Sequence, residues 1–257
     1  MKRTTRAVTI GGWMVGMALA AAAQADKPPA SAFNGNLTLA SDYIFRSQTQ
    51  TNHKPALQGT LEYDHASGLY IGGFLSNISW VKDAAVDGMR VHNNLEADLW
   101  LGYRNRLGED FSYDAGLNYY YYPGRYPGGG YVKPHTLEAY AQLGWKGLTL
   151  RYWYGLSDWF GFAHSVGSQY LDLSYSRELA PSWTLGLHLG RQHVAHAQDA
   201  LSFTDWRVGI TKTLRSGLLL NAAWTQGNAR RRFYSNPDGH YLTRGTLTVS
   251  VTWPFSF

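Results

Sequence analysis

Residues 246–257 alternate without a break: Leu247, Val249, Val251, Trp253, Phe255 and Phe257 fall on one parity, and Thr246, Thr248, Ser250, Thr252, Pro254 and Ser256 on the other. A period of two marks a strand with one apolar and one polar face. A half-buried strand of a soluble sheet alternates over about four to eight residues. This stretch is longer, and a tilted strand crossing a bilayer takes roughly 9–11. The pattern predicts the closing strand of a transmembrane β-barrel, with an apolar outer face and a polar lumen.

The other end of the chain reads as an export signal. Lys2, Arg3 and Arg6 precede an apolar run from Ala7 to Ala23, and Ala23-Gln24-Ala25 supplies the small residues of a cleavage site. Asp26, Lys27, Pro28 and Pro29 then resume a polar chain, which argues against a retained anchor. The expected organisation is a signal peptide over 1–25, a short periplasmic leader over 26–34 and a barrel over 35–257. Losing the signal peptide removes three cations, so most of the formal net charge of +5 belongs to the discarded segment.

The absence of cysteine excludes disulfides, thiolate catalysis and thiolate metal sites. No second apolar run is long enough for a membrane helix, and the mean hydropathy is −0.32. A barrel hides its membrane signal in alternation, so low mean hydropathy is what it should show.

Alternation marks twelve strands, over 35–46, 55–64, 69–80, 94–104, 111–122, 136–145, 148–156, 169–176, 182–192, 203–213, 218–225 and 243–257. In the third, both parities carry apolar residues, so its register is open. The connections alternate as well. Short links fall at 65–68, 105–110, 145–147, 179–182 and 214–217, and long ones at 47–54, 81–93, 123–135, 157–168, 193–202 and 226–242. Outer-membrane barrels have an even strand number, short periplasmic turns and long outer loops. The expected fold is therefore all-β, a single 12-stranded antiparallel up-and-down transmembrane barrel with both termini periplasmic. Tyr43, Phe45, Tyr63, Trp80, Tyr103, Phe111, Tyr113, residues 119–122, Trp145, Trp183, Trp206, Trp224 and Trp253 cluster at strand ends, the place of interfacial girdles. The competing account of these aromatics is the core of a soluble sandwich.

The first hairpin carries more than periodicity. Ser41-Asp42-Tyr43-Ile44-Phe45-Arg46-Ser47-Gln48-Thr49-Gln50-Thr51, followed by Pro55-Ala56-Leu57-Gln58-Gly59-Thr60-Leu61-Glu62-Tyr63, resembles the opening signature of the TorF family of porins. Ala66-Ser67-Gly68-Leu69-Tyr70-Ile71-Gly72, Ser76-Asn77, Glu96-Ala97-Asp98-Leu99-Trp100-Leu101-Gly102-Tyr103 and Tyr120-Tyr121-Tyr122-Pro123-Gly124 extend the likeness. The family pattern has Gly after the arginine and Ser after the next Gln, where this chain has Ser47 and Thr49. The resemblance implies an outer-membrane location and a pore role, and it supplies no catalytic or ligand residue.

The faces opposite the apolar ones carry Asp42, Glu62, Asp64, Glu96, Asp98, Asp114, Glu138, Asp172 and Asp205, with Arg46, Arg104, Arg151 and Arg207. An Arg or Lys on the lipid face at mid-bilayer costs about 2–4 kcal/mol, so their shared parity points inward. More acids than arginines predicts weak cation preference, although Arg230, Arg231 and Arg232 at the mouth oppose it, and cross-strand pairing would mute it. The candidate pore-lining residues are Asp42, Arg46, Glu62, Glu96, Asp98, Arg104, Glu138, Arg151, Asp172, Asp205 and Arg207. Asp42 and Arg46 lead, on the lumen side of the first strand with Arg46 near the outer mouth. Twelve strands lie between filled eight-stranded barrels and open porins of about 16–18, which predicts a narrow channel for passive diffusion of small polar or charged solutes.

Two other classes compete. A barrel hydrolase would use Ser174 and His188, or His193, His196 and Asp199, in a Ser-His-acid device, but no spacing motif supports one. His193-x-x-His196 lacks the further ligands a metal site needs, and no cofactor or metal is expected. A non-conducting structural barrel would have a packed lumen, and the Tyr- and Gly-rich loop 123–134 could fold inward as a constriction. The expected partners are outer-membrane lipid and lipopolysaccharide, the barrel-assembly machinery and small solutes, with no nucleic acid. Trp253, Phe255 and Phe257 form the candidate assembly signal at the outer membrane of a Gram-negative bacterium.

Overall fold

The computed structural model describes residues 32–85, 89–128, 130–196 and 200–257; the expected signal peptide lies outside the described residues. The barrel strands are β1 (Ala32–Ala40), β4 (Ala56–Asp64), β5 (Leu69–Asn77), β6 (Leu95–Leu107), β7 (Phe111–Tyr121), β8 (Thr136–Trp145), β9 (Leu148–Gly155), β10 (Gln169–Ala180), β11 (Trp183–His193), β12 (Phe203–Thr213), β13 (Leu219–Gly227) and β14 (Thr246–Ser256). A two-residue pair, β2 (Ile44–Phe45) with β3 (Gln48–Thr49), and one helical turn, α1 (Trp80–Asp83), lie in the long connections.

Every barrel strand pairs with its sequence neighbour, and β14 closes on β1 through Leu37 opposite Trp253 and Leu39 opposite Val251. Phe33 and Phe257 exchange backbone hydrogen bonds at 2.9 and 3.0 Å, which seals the seam to the last residue. Closure leaves no unpaired edge, the condition for a sheet in lipid. The short links gather at one end with Ala32 and Ser256, the long ones at the other. The two-residue turn Lys146-Gly147 takes φ of 46° and 85°, the mirror-image geometry that matches strand twist in such a hairpin.

Burial is inverted relative to a soluble protein. Leu57, Leu99 and Leu247 are 65%, 63% and 62% exposed on the outer face, while Glu96, Asp98 and Asp172 are 2%, 2% and 1% exposed within. The third strand owes its ambiguous pattern to Tyr70 and Phe74, which point inward on β5 and are buried, while Leu69, Ile71 and Leu75 point out.

The first strand differs from the sequence expectation. It begins at Ala32 and stops at Ala40, and residues 41–55 leave the wall and cross the mouth as a strap. Arg46 and Ser47 adopt φ of 44° and 63°, which breaks an extended chain. Asp42 accepts hydrogen bonds from Thr49 and Thr51 at 2.7 and 2.9 Å and pairs with His53 at 2.7 Å, folding the segment back on itself. Asp42 and Arg46 are thus strap residues, not residues of the first strand. The fifth expected strand keeps its place, but the third ends at Asn77 and Trp80 opens α1.

The same departure reassigns several aromatics from the girdle to the interior. Tyr43, Phe45, Tyr120 and Tyr122 are buried with Phe74, Ile78, Val81 and Val91, and Trp80 packs against them. Trp145, Trp183, Trp206, Trp224 and Trp253 stay exposed on the outer face. Tyr126 and Tyr131 of loop 123–134 are partly buried and pack against this cluster.

Candidate functional site

The strap is held at both ends and in the middle. Gln50 carbonyl receives the amides of Ser79 and Trp80 at 2.8 and 3.1 Å, Leu242 carbonyl receives the amide of Thr49 at 3.0 Å, and Arg244 donates to His53 Nε2 at 3.0 Å. At its centre, Arg46 reaches the wall opposite its own anchor strands. Its two Nη atoms meet the carboxylate oxygens of Glu138 on β8 at 3.0 and 2.6 Å, and Nη1 also donates to Gln192 of β11 at 2.9 Å. The guanidinium lies 4.3 Å from the Tyr170 ring centre and 4.9 Å from that of Phe45. This is a bidentate, ring-stacked ion pair, both partners nearly fully buried.

Toward the turn end, β4 to β9 fill their side of the lumen. Arg104 donates to Glu62 at 2.8 Å, approaches Asp64 at 3.9 Å and sits 3.7 Å over the Tyr70 ring. Trp100 Nε1 also donates to Glu62, at 2.6 Å. Arg151 donates to Gln142 at 2.7 Å, lies 3.7 Å from Asp114 and stacks on Tyr140 and Trp153. The hydroxyl of Tyr70 is hydrogen-bonded to Asp114 and Tyr140. The rings of Tyr70, Tyr140 and Tyr170 cover Gly102, Gly116 and Gly190 on neighbouring strands, where any Cβ would collide with the phenol. The aromatics therefore lie flat along the wall.

The remaining side is different. The inward positions of β13, β14 and β1 carry Asn221, Ala223, Thr225, Thr248, Ser250, Thr252, Asn36 and Thr38, small and uncharged. Thr38 and Thr252 hydroxyls meet at 2.8 Å across the seam. An atom-free space of about 440 Å³, continuous with solvent, opens between the strap and the wall of β10 to β13.

The sequence-predicted residues are thus distributed over several groups, with Asp42 in the strap itself. Arg46 and Glu138 form the latch; Glu62, Arg104 and Arg151, with Asp64 and Asp114, form the turn-end layer; and Asp172 and Asp205 flank His188, at 3.2 and 2.9 Å from its two ring nitrogens. Arg207 lies beside His188 in register and donates to Asn221 at 3.2 Å. Glu96 and Asp98 lie under the strap, where Tyr43 and Tyr122 hydroxyls each donate to Glu96 at 3.3 Å. Among the described residues, no cation lies within ion-pair distance of either acid. Gln192, Tyr170 and Trp153 were not legible as site residues; their signal is only inward parity on an otherwise apolar or aromatic strand.

The Ser174 and His188 pair does come together, at 3.3 Å. However, Ser174 gives its proton to Asp172 at 2.6 Å, and each imidazole nitrogen faces a carboxylate, so neither nitrogen is left to take a hydroxyl proton. His193 and His196 are in or beyond the end of β11, His196 is bound to the His164 carbonyl at 2.9 Å, and Asp199 lies outside the described residues. Among the described residues no group of three or more side chains is placed to hold a metal.

A family model described as a bacterial protein of unknown function (Gcw_chp) matches residues 22–255. The chain belongs to this Gcw_chp family. No curated protein matches the sequence. Among solved structures, the Gcw_chp barrel is similar to the KdgM porin, with a TM-score of 0.51 at 8% identity over 88% of this chain and 99% of that one. It is similar to "KdgM porin in complex with disordered oligogalacturonate", with a TM-score of 0.50 at 9% identity over 88% and 99% of the two chains. The COG4313 outer membrane channel from Pseudomonas putida F1 gives a TM-score of 0.48 at 14% identity over 89% and 96%. At these identities the likeness is one of fold: a closed 12-stranded antiparallel barrel of the outer-membrane porin type.

Proposed function

We propose that this Gcw_chp chain is a narrow outer-membrane channel through which small polar or charged solutes diffuse passively, in keeping with its likeness to the TorF porins. The observation that carries this reading is the uncharged inner wall of β13, β14 and β1, which runs from the turn end toward the strap. The inverted burial supports a membrane setting, since a belt of exposed leucines is costly in water. Export through a cleaved signal peptide, periplasmic termini, outer loops facing outward, lipid and lipopolysaccharide around the belt, and insertion by the barrel-assembly machinery complete the proposal. That a KdgM porin has been solved with oligogalacturonate supports solute passage through a barrel of this type.

Weak cation preference is part of this reading. Most interior acids are paired with a cation, and Glu96 and Asp98 have none within ion-pair distance among the described residues. Purified protein in a planar bilayer under a salt gradient tests both points. Stepwise conductance with a cation-selective reversal potential is expected, and anion selectivity would discard the cation preference.

The strap and the apolar cluster beneath the mouth favour a second reading, a barrel closed at rest. A wild type silent in the bilayer, with conductance appearing once Arg46 is replaced by Gln, would establish it. Silence of both would leave a structural barrel.

A further inference from the structure

The wall of β11 to β13 contains a hollow that the channel reading does not explain. His188, Arg207 and Thr225 form one cross-strand row, and the row toward the turn end is Gly186, Gly209 and Ala223. The row toward the loops is Gly190, Asp205 and Gly227. Polar side chains thus stand among positions with almost no side chain, and the space of about 440 Å³ lies there with Ile44, Arg46 and Ser47 of the strap above it.

Two hydroxyls of residues that line this space, Ser47 Oγ and Thr225 Oγ1, have no hydrogen-bond partner among the described residues, and both residues are at least nine-tenths buried. Ser47 is set there by a left-handed backbone with φ of 63°, as the second residue of the two-residue turn between β2 and β3. The charges lining the hollow are Arg46, Arg207, His188 and Asp205. Arg46 is engaged by Glu138, and the oxygens of Asp205 receive the Tyr170 hydroxyl at 3.2 and 3.0 Å and face His188 at 2.9 Å. The acid is covered by donors, and the hollow is lined as well by the two hydroxyls and by the Arg207 guanidinium, which also donates to Asn221.

We propose that this hollow binds the carboxylate of a small hydroxylated solute, with Arg207 opposing its charge and Ser47 and Thr225 donating to its oxygens. A guanidinium and hydroxyl donors lining one space suit a planar oxyanion. The site rests on the channel reading only for how the solute arrives. Because Ser47 belongs to the strap, an occupied site would also hold the strap down.

Calorimetric titration of the full chain in detergent with sodium gluconate tests the proposal, with glucose as the neutral control. Saturable binding of one gluconate per chain, and none of glucose, is expected. Thr225→Val and Ser47→Ala should each weaken it about three- to tenfold, the effect of one hydrogen bond, and Arg207→Gln should abolish it. Thr225→Val keeps the side-chain shape, so it guards against loss by misfolding, and band shift between unheated and boiled samples confirms each barrel. No saturable gluconate binding, equal binding of glucose, or wild-type affinity in both hydroxyl variants would overturn the site and leave the hollow to water. Swelling of proteoliposomes reports the channel separately: binding without swelling discards the channel and keeps the site, and swelling without binding does the reverse.

Discussion

Arg46 and Glu138 are 92 residues apart in sequence, arise on opposite sides of the barrel, and meet in a two-pronged ion pair with Nη2 to Oε2 at 2.6 Å. The pair converts a loop that could stand outside the barrel into a bar across it.

Replacing one partner of a buried pair leaves the other uncompensated, at a cost of about 3–5 kcal/mol. In Glu138→Gln the strap should therefore leave the lumen while the twelve strands remain. The expected outcome is larger unit conductance than wild type in a planar bilayer, with unchanged heat-modifiable migration on a gel. Equal conductance would mean that the strap does not limit the path.

Asp42 organises the strap internally, through Thr49, Thr51 and His53. Asp42→Ala leaves those donors without their acceptor, at about 1–3 kcal/mol. Hydrogen exchange of residues 41–55 should accelerate by at least tenfold, with β10 to β14 unaffected. Uniform acceleration would place Asp42 in global stability instead.

On the outer face the cost of a charge depends on depth. Leu101 lies midway along β6, whereas Leu107 ends it. Leu101→Arg should destabilise the folded barrel in lipid vesicles by about 2–4 kcal/mol, and Leu107→Arg by about 0–1. Equal penalties in a urea titration would refute the assignment of this face to the membrane.

At the seam, Phe257 stacks on Phe33 at 5.4 Å and on Phe255 at 6.4 Å, beyond the last strand residue. Deleting Phe257 should lower the membrane-inserted yield in cells several-fold while the conductance of the molecules that do insert stays the same. Normal yield of the shortened chain would remove its role in assembly.

How far the sequence was readable depends on whether local pattern or distant contact decides a residue's place. Strands such as β8 and β9 were legible because Leu137, Leu143, Leu148 and Leu150 answer only to lipid on one side. The strap was not, because Tyr43, Phe45 and Arg46 keep strand-like parity while their partners, Phe74, Tyr120 and Glu138, come from three other strands. The inward direction of the charges was legible from parity; their pairing was not. Nothing local to Arg104 says that it will meet Glu62 rather than Asp98. The consecutive left-handed residues Arg46 and Ser47 leave no trace in composition, since the position that the TorF pattern gives to Gly is here Ser47.

The uneven furnishing of the lumen has a further consequence. Going round the ring in one direction, a solute meets neutral amides and hydroxyls, then the guanidinium of Arg207 and the imidazole of His188, then aromatic rings, and this order cannot be superimposed on its mirror image. Two enantiomers of a hydroxylated acid carry the same groups in opposite rotational order. Such a passage is a chiral surface in the chromatographic sense, and it would retard one hand of a solute more than the other.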